Sequence, residues 1–169
     1  SDDGPEGARC FEEGAEVHVM MTKGAQQFIT PLTLQTLSGH PVHTDLFSIT
    51  QEQEIGHISL ADKANAIIIA PATADILAKV AHGICDDLLT TVICATQAPV
   101  IFAPSMNVHM WENPITQENI SRLKKFAYRI IEPDKGPLAC GYNGSGRLPD
   151  IPILLNTLRE TLKNKKKNR

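Results

Sequence analysis

Ala66-Ile67-Ile68-Ile69-Ala70, running directly into Pro71-Ala72-Thr73-Ala74-Asp75, decides the fold. The apolar residues of the first half do not alternate with polar ones, and three of them are β-branched. Such a run suits a strand buried on both faces, as strands are in a parallel sheet. Pro71 is expected to stop it, and a helix around Ile76–Ala81 follows. Pro99-Val100-Ile101-Phe102-Ala103 repeats the pattern and is expected to end at Pro104. Arg129-Ile130-Ile131 reads as a third strand. Helices are expected around Asp86–Ala95, over Thr116–Phe126 and, amphipathic, over Pro149–Lys163. Upstream, Glu16–Met21 reads as a short strand ending at Thr22. Thr30-Pro31 then opens a helix, with Thr30 as the N-cap, Pro31 at the first helical position and Gly39 beyond its end. Strands alternating with helices imply a layered α/β fold with a mostly parallel sheet and right-handed crossovers.

The chain has 169 residues, enough for one self-sufficient domain that buries about two-thirds of its unfolded surface. A hydrophobic fraction of 42% with 21% charged residues excludes a mostly disordered chain, a coiled coil and a collagen-like repeat. No apolar run approaches the ~18 residues of a membrane span, and no signal peptide opens the chain. Charge is uneven: five of the 16 basic residues fall within Lys163–Arg169, against a net charge of −3 for the whole. The body is therefore acidic, which argues against a nucleic-acid surface. The division read from this is a domain over residues 1–162 and a basic tail or start of a linker over 163–169. The tail is a solvated end, or else a contact for RNA or membrane. Cys10, Cys85, Cys94 and Cys140 form no CxxC pair, so no metal site is read from them. Reduced thiols in a cytoplasmic protein are the expectation.

In an open α/β sheet a ligand sits beyond the carboxyl ends of the strands. The segments to read are therefore Thr22–Phe28, Pro71–Ile76 and Pro104–Trp111. In Pro71-Ala72-Thr73-Ala74-Asp75, small residues admit a ligand close to the backbone, and helix N-terminal amides donate to an anion or a polar ring edge. The plainer alternative is a strand-to-helix turn capped by Thr73 or Asp75. In Pro104-Ser105-Met106-Asn107-Val108-His109-Met110-Trp111, Asn107 offers two donors and an acceptor, and Met106, Met110 and Trp111 form an apolar wall. That mix suits a flat ring plus a polar substrate, or equally a core-packing loop. Leu138–Arg147 contains three glycines around Cys140, which reads as a mobile lid with a reactive thiol, or as a surface loop with an incidental one. His57 precedes the first buried strand. The His40 and His43 turn gives no metal signal, and His18 none of any kind.

Taken in order, these segments resemble the flavin-containing cysteine decarboxylases, and among them the phosphopantothenoylcysteine decarboxylases. In many bacteria these form the N-terminal half of a bifunctional coenzyme A biosynthesis protein. Pro104–Trp111 fits the family's PxMNxxMW motif at every specified position. Ala70–Asp75 resembles its PASANT motif in the form PATAD. Leu138–Arg147 resembles its substrate clamp ACGxxGxGR, and His57 with Ile58 and Leu60 its HIxL segment. The resemblance runs from about Gly14 to Asp150 and implies a three-layer Rossmann-like (flavodoxin-like) fold.

The resemblance also implies a reaction: FMN-dependent decarboxylation of 4′-phosphopantothenoyl-L-cysteine to 4′-phosphopantetheine, through a thioaldehyde that makes the carboxylate a leaving group. The catalytic residues it implies are His57 as base or orienting group, Asn107 on the substrate carboxylate and Cys140 as proton donor. Cofactor contacts fall on Thr22, Lys23, Gly24, Phe28, Thr73, Ala74, Asp75, Ile76 and Ser105. Substrate contacts fall on Asn107, Met110, Ala139, Cys140, Asn143 and Arg147, with Trp111 lining the site. The implied assembly is a homotrimer or dodecamer, with a synthetase domain fused behind in bifunctional relatives and no nucleic-acid or membrane partner. A regulatory paralogue without catalysis and a peptidyl-cysteine decarboxylase are the competing readings. The chain departs from the family at Asp75-Ile76, where Asn-Thr is common. Nor does it contain the family's opening strand and glycine-rich phosphate turn; that segment is expected to lie outside the present sequence.

Overall fold

The computed structural model describes residues 14–44, 58–137 and 143–167. Three parallel strands form the central sheet in the order β1 (Ile67–Ala72), β2 (Val100–Pro104), β3 (Arg129–Ile130). Ile68 lies opposite Ile101, and Ile101 opposite Arg129, so the three strands stay in step. Every residue of β2 is buried, as the middle strand of a sheet covered on both faces must be.

The two faces collect different helices. On one, Ile67, Ile69 and Phe102 join Ile76 and Leu77 of α2 (Ala74–Ala81), Leu88 and Val92 of α3 (Leu88–Ala95), and Ile120 and Leu123 of α5 (Pro114–Lys125). On the other, Ile101, Ala103 and Ile131 pack with Leu154 and Leu158 of α6 (Ile151–Lys167). The alternation of strand side chains thus produces the three layers expected from the sequence. Phe102, fully buried, meets Tyr128 edge-on with ring centroids 5.7 Å apart.

Local chemistry sets the helix ends. Thr30 Oγ1 accepts the Thr33 N–H at 3.3 Å at the start of α1 (Pro31–Ser38), and Gly39 takes the left-handed conformation past its end at φ 72°. Asp87 and Thr90 close a reciprocal capping box on α3, with Asp87 Oδ1 accepting the Thr90 N–H at 2.8 Å. Asn113 caps α5, whose first residue is Pro114. Arg122 Nε reaches back from α5 to the Ala81 carbonyl at 2.7 Å and satisfies the end of α2.

Three expectations are corrected. Pro71 does not stop β1: the strand continues to Ala72, with a register shift between Ile69 and Ala72 that accommodates a residue lacking an N–H. Pro104, by contrast, is the last residue of β2, where that strand was expected to end. Glu16–Met21 is extended but forms only an isolated parallel bridge, Met20 to His43, among the described residues. The final helix does not end at Lys163 but continues to Lys167, so most of the basic run is helical.

Two elements were not anticipated. One is the short helix α4 (Val108–Glu112) inside the Pro104–Trp111 segment. The other is an antiparallel hairpin of β4 (Asp134–Pro137) and β5 (Asn143–Arg147), where a glycine-rich loop was expected.

Candidate active site

The carboxyl ends of β1 and β2 place the two central segments side by side. Ala72 and Pro104 are register partners, and the Ser105 N–H donates to the Ala72 carbonyl at 3.1 Å. Thr73 and Ser105 therefore leave adjacent strands at the same level.

Thr73 is the N-cap of α2: its Oγ1 accepts the Ile76 N–H at 3.2 Å. The plain reading of this turn, a capped helix start, is thus correct for Thr73 and not for Asp75. It does not compete with binding. Thr73 is exposed, and the first amides of α2 point out of the helix with no carbonyl partner in its first turn. Ala74, small and half-buried, leaves room beside them. The Ile76 side chain is buried in the core, which leaves only its backbone on the site side. Asp75 is largely exposed and pairs with Lys79 at 3.4 Å, and Lys79 also reaches Asp86 at 3.1 Å. The Asp86 hydrogen bond is the main cause holding the Lys79 ammonium above the ordinary lysine range.

Asn107 caps α4. Its Oδ1 accepts the His109 N–H at 2.8 Å, which fixes the orientation of the amide. The Nδ2 group, with two donors, then faces outward from an exposed residue. Ser105 and Met106 are half-buried beside it, and Met110 is about half exposed. Of the two readings open for Trp111, the structure shows core packing: its indole belongs to the main core cluster, against which Met106 also packs, and its carbonyl accepts from Gln117 Nε2 at 2.6 Å.

The hairpin is tied to this edge by a backbone hydrogen bond. Met106 N–H donates to the Gly146 carbonyl at 2.9 Å, which brings β5 against α4. Gly146 sits at φ 143°, and a Cβ added there would lie 2.2 Å from the Met106 carbonyl oxygen. Only glycine permits so close an approach. Asn143 and Arg147 are the first and last residues of this strand.

Among the described residues, no hydrogen bond joins the Thr22–Phe28 turn to this edge. Thr22 Oγ1 accepts the Ala25 N–H at 3.1 Å and the Thr22 carbonyl accepts the Gln26 N–H at 3.3 Å, so its bonds are internal. Lys23 is exposed, Gly24 has ordinary helical angles, and Phe28 is 93% exposed. His57, Ala139 and Cys140 lie outside the described residues. The Gly146–Met106 contact was missed in the sequence, where its one signal was the glycine spacing of residues 141–146.

Thr73, Ser105 and Asn107 supply neutral donors around an edge with small residues, and the nearby Asp75 charge is already paired. That donor set fits the edge of a neutral heteroaromatic ring that carries carbonyl and ring-nitrogen acceptors.

Comparison with known proteins agrees. The flavoprotein family model matches residues 8–163. The chain belongs to the flavoprotein family. It is 50% identical over 143 residues to the coenzyme A biosynthesis bifunctional protein CoaBC of Bacillus subtilis, covering 85% of this chain and 35% of that protein. The chain thus spans about a third of that relative's length. It is 47% identical over 151 residues to a probable phosphopantothenoylcysteine decarboxylase of Streptococcus mutans, covering 88% of this chain and 84% of that one. Among solved structures, a PPC decarboxylase mutant complexed with pantothenoylaminoethenethiol superposes with a TM-score of 0.78 at 32% identity, over 93% of this chain and 88% of that one. The FMN-dependent cysteine decarboxylase SpaF gives 0.75 at 29%, over 94% and 87%. The flavodoxin-like α/β architecture read from the sequence is therefore the observed one. Among the described residues no helix is long and apolar enough to cross a membrane.

Proposed function

We propose that this chain is a phosphopantothenoylcysteine decarboxylase, converting 4′-phosphopantothenoyl-L-cysteine to 4′-phosphopantetheine with FMN as cofactor. The observation that carries the reading is Asn107: its Oδ1 is committed to the His109 cap, which leaves the two Nδ2 donors of an exposed side chain for a ligand, two residues beyond Ser105, in a flavoprotein whose relatives bear that name.

Thr73, the first amides of α2, Ala74, Ser105 and the backbone of Ile76 would hold the cofactor. Asp75 would contribute through its backbone N–H at the helix start, its carboxylate staying on Lys79, and Thr22, Lys23, Gly24 and Phe28 remain its proposed further contacts. When bound, the flavin supplies a two-electron hydride acceptor and donor, which the protein's side chains lack. The chain's own part is binding and proton handling. Asn107 Nδ2 donates to the substrate carboxylate and orients it. Met106 and Met110 exclude water on that side. His57 takes the thiol proton as the thiol-bearing carbon is oxidised. Cys140 would provide the proton that the substrate carbon skeleton takes up after carbon dioxide has left. Ala139, Asn143 and Arg147 hold the substrate from the hairpin side. Overall the substrate loses carbon dioxide and gains a proton, with no net redox change. Localisation in the cytoplasm, with Cys85 and Cys94 as free thiols, belongs to the same reading. So do a homotrimer or dodecamer and a synthetase domain fused behind, and the exposed Phe28 and Leu32 supply apolar surface for self-association.

The test is to reconstitute the purified chain with FMN and supply phosphopantothenoylcysteine. Flavin absorbance should co-elute with the protein, and mass spectrometry should show the decarboxylated, saturated thiol. Turnover of a C-terminal cysteine peptide in preference to the small thiol would make it a peptide decarboxylase. Failure to retain FMN would sink the cofactor assignment.

A further inference from the structure

The histidines passed over in the sequence meet in space. Glu16 and His18 lie two residues apart on the extended segment before Met20, and His40 follows α1. Their ligand atoms all lie within 4.8 Å of one another. His18 Nε2 is 2.8 Å and His40 Nε2 3.7 Å from Glu16 Oε1. The two imidazole rings are 4.4 Å apart between centroids.

We propose that Glu16, His18 and His40 form a surface site for a divalent cation of the zinc class. Two imidazoles and one carboxylate are the donor set of such ions, whereas magnesium and calcium take oxygen ligands. In a tetrahedral site with bonds of about 2.0–2.2 Å the ligand atoms stand roughly 3.4 Å apart. The present separations require only small rotations of exposed side chains. The ligand orientation has support from outside the cluster: His40 Nδ1 lies 3.0 Å from the carbonyl oxygen of Ser38, a buried residue at the end of α1. A ring nitrogen that donates to a backbone carbonyl leaves the other as a lone pair for metal, the arrangement common around bound histidines. Glu16 is mostly exposed, so water completes the fourth position. The ion would join the extended segment to the turn after α1. At present two backbone bonds do so, Met21 N–H to His43 O and His43 N–H to Val19 O, both at 2.9 Å.

The test uses the full chain, stripped with a chelator and with its thiols alkylated so that cysteine sites are silent. Zinc is titrated by calorimetry, with and without FMN, and cobalt(II) serves as a spectroscopic stand-in. One equivalent should bind, cobalt should show d–d bands without thiolate charge transfer, and His18→Ala or His40→Ala should each weaken binding at least tenfold. Glu16→Gln, a near-isosteric change on the surface, should weaken it as well. Circular dichroism of each variant confirms the fold. Absence of binding, or equal binding by the His18→Ala/His40→Ala double variant, overturns the proposal. Neither result bears on flavin retention, so the site stands or falls apart from the proposed activity.

Discussion

Gly146→Ala is the sharpest perturbation the structure offers. The new Cβ would meet the Met106 carbonyl oxygen at 2.2 Å, about 1 Å inside ordinary contact, and the obstructing atom is backbone, not a side chain that can swing away. The residue must also hold φ 143°, a region in which L side chains are strained by about 1–3 kcal/mol. Relief requires the hairpin to lift from the Met106 loop, which breaks the 2.9 Å Met106–Gly146 hydrogen bond at a net cost of about 1 kcal/mol. Together these disfavour the docked hairpin by about 2–4 kcal/mol, or roughly 30- to 700-fold in its ratio to the undocked form. Among the residues whose burial is described, neither core cluster draws on β4 or β5, so global unfolding should change little. The expected result is a melting temperature within a few degrees of the parent, retained FMN, and a fall in kcat/KM of at least tenfold. Limited proteolysis should cut the hairpin faster in the variant. A Gly146→Ala protein with unaltered turnover and unaltered proteolysis would refute the claim that this contact seats the hairpin.

Other perturbations separate binding from folding. Asn107→Asp keeps an oxygen for the His109 cap but replaces the outward donors with a negative charge; it should fold normally and lose at least a hundredfold in kcat/KM in steady-state assays. Asp87→Ala removes the acceptor for the Thr90 N–H and for its buried hydroxyl, and should cost about 1–2 kcal/mol in urea denaturation without affecting turnover of the folded fraction. Lys79 is held above the ordinary lysine range, chiefly by its hydrogen bond to Asp86, so its stabilising contribution is complete below that range and is lost as pH rises through its own higher value. Thermal melts should accordingly show Lys79→Met less stable than the parent near neutrality, with the gap closing at alkaline pH.

The parallel sheet was legible because burial on both faces leaves a plain mark: Ile67–Ile69 and Val100–Ala103 are unbroken apolar runs. The caps at Thr30 and Gly39 were legible because capping is local chemistry. What escaped was settled between distant segments. Pro71 looks like a terminator, but β2 holds β1 through the register shift. Asn143–Arg147 has two glycines and no apolar pattern, yet pairing with Asp134–Pro137 and the bond to Met106 make it a strand. Trp111 reads equally well as a pocket wall or as core, and only the packing of α4 on the main cluster decides for the core. The Glu16–His18–His40 cluster has no sequence spacing to recognise, since its third member arrives by way of α1.

The departure from the family at Asp75-Ile76 can now be weighed. An acidic side chain beside a flavin would disfavour negative charge on the reduced ring if it faced that ring unpaired. Here Asp75 is largely exposed and its carboxylate lies 3.4 Å from the Lys79 ammonium one turn along α2. An acidic residue in the first turn also suits the positive end of the helix. Ile76, in place of a threonine, gives its side chain to the core beside Leu77 and keeps its N–H on the Thr73 cap. Both changes are thus absorbed on the helix itself. The groups that face the edge of the sheet, Thr73, Ser105 and the Asn107 amide, are untouched by them. Asp75→Asn should therefore leave flavin affinity within about fivefold of the parent, since a screened surface pair contributes no more than ~0–1 kcal/mol. A tenfold or larger gain in affinity on neutralising Asp75, measured by fluorescence quenching of FMN, would show that the carboxylate faces the ring and that its pairing with Lys79 does not offset its charge.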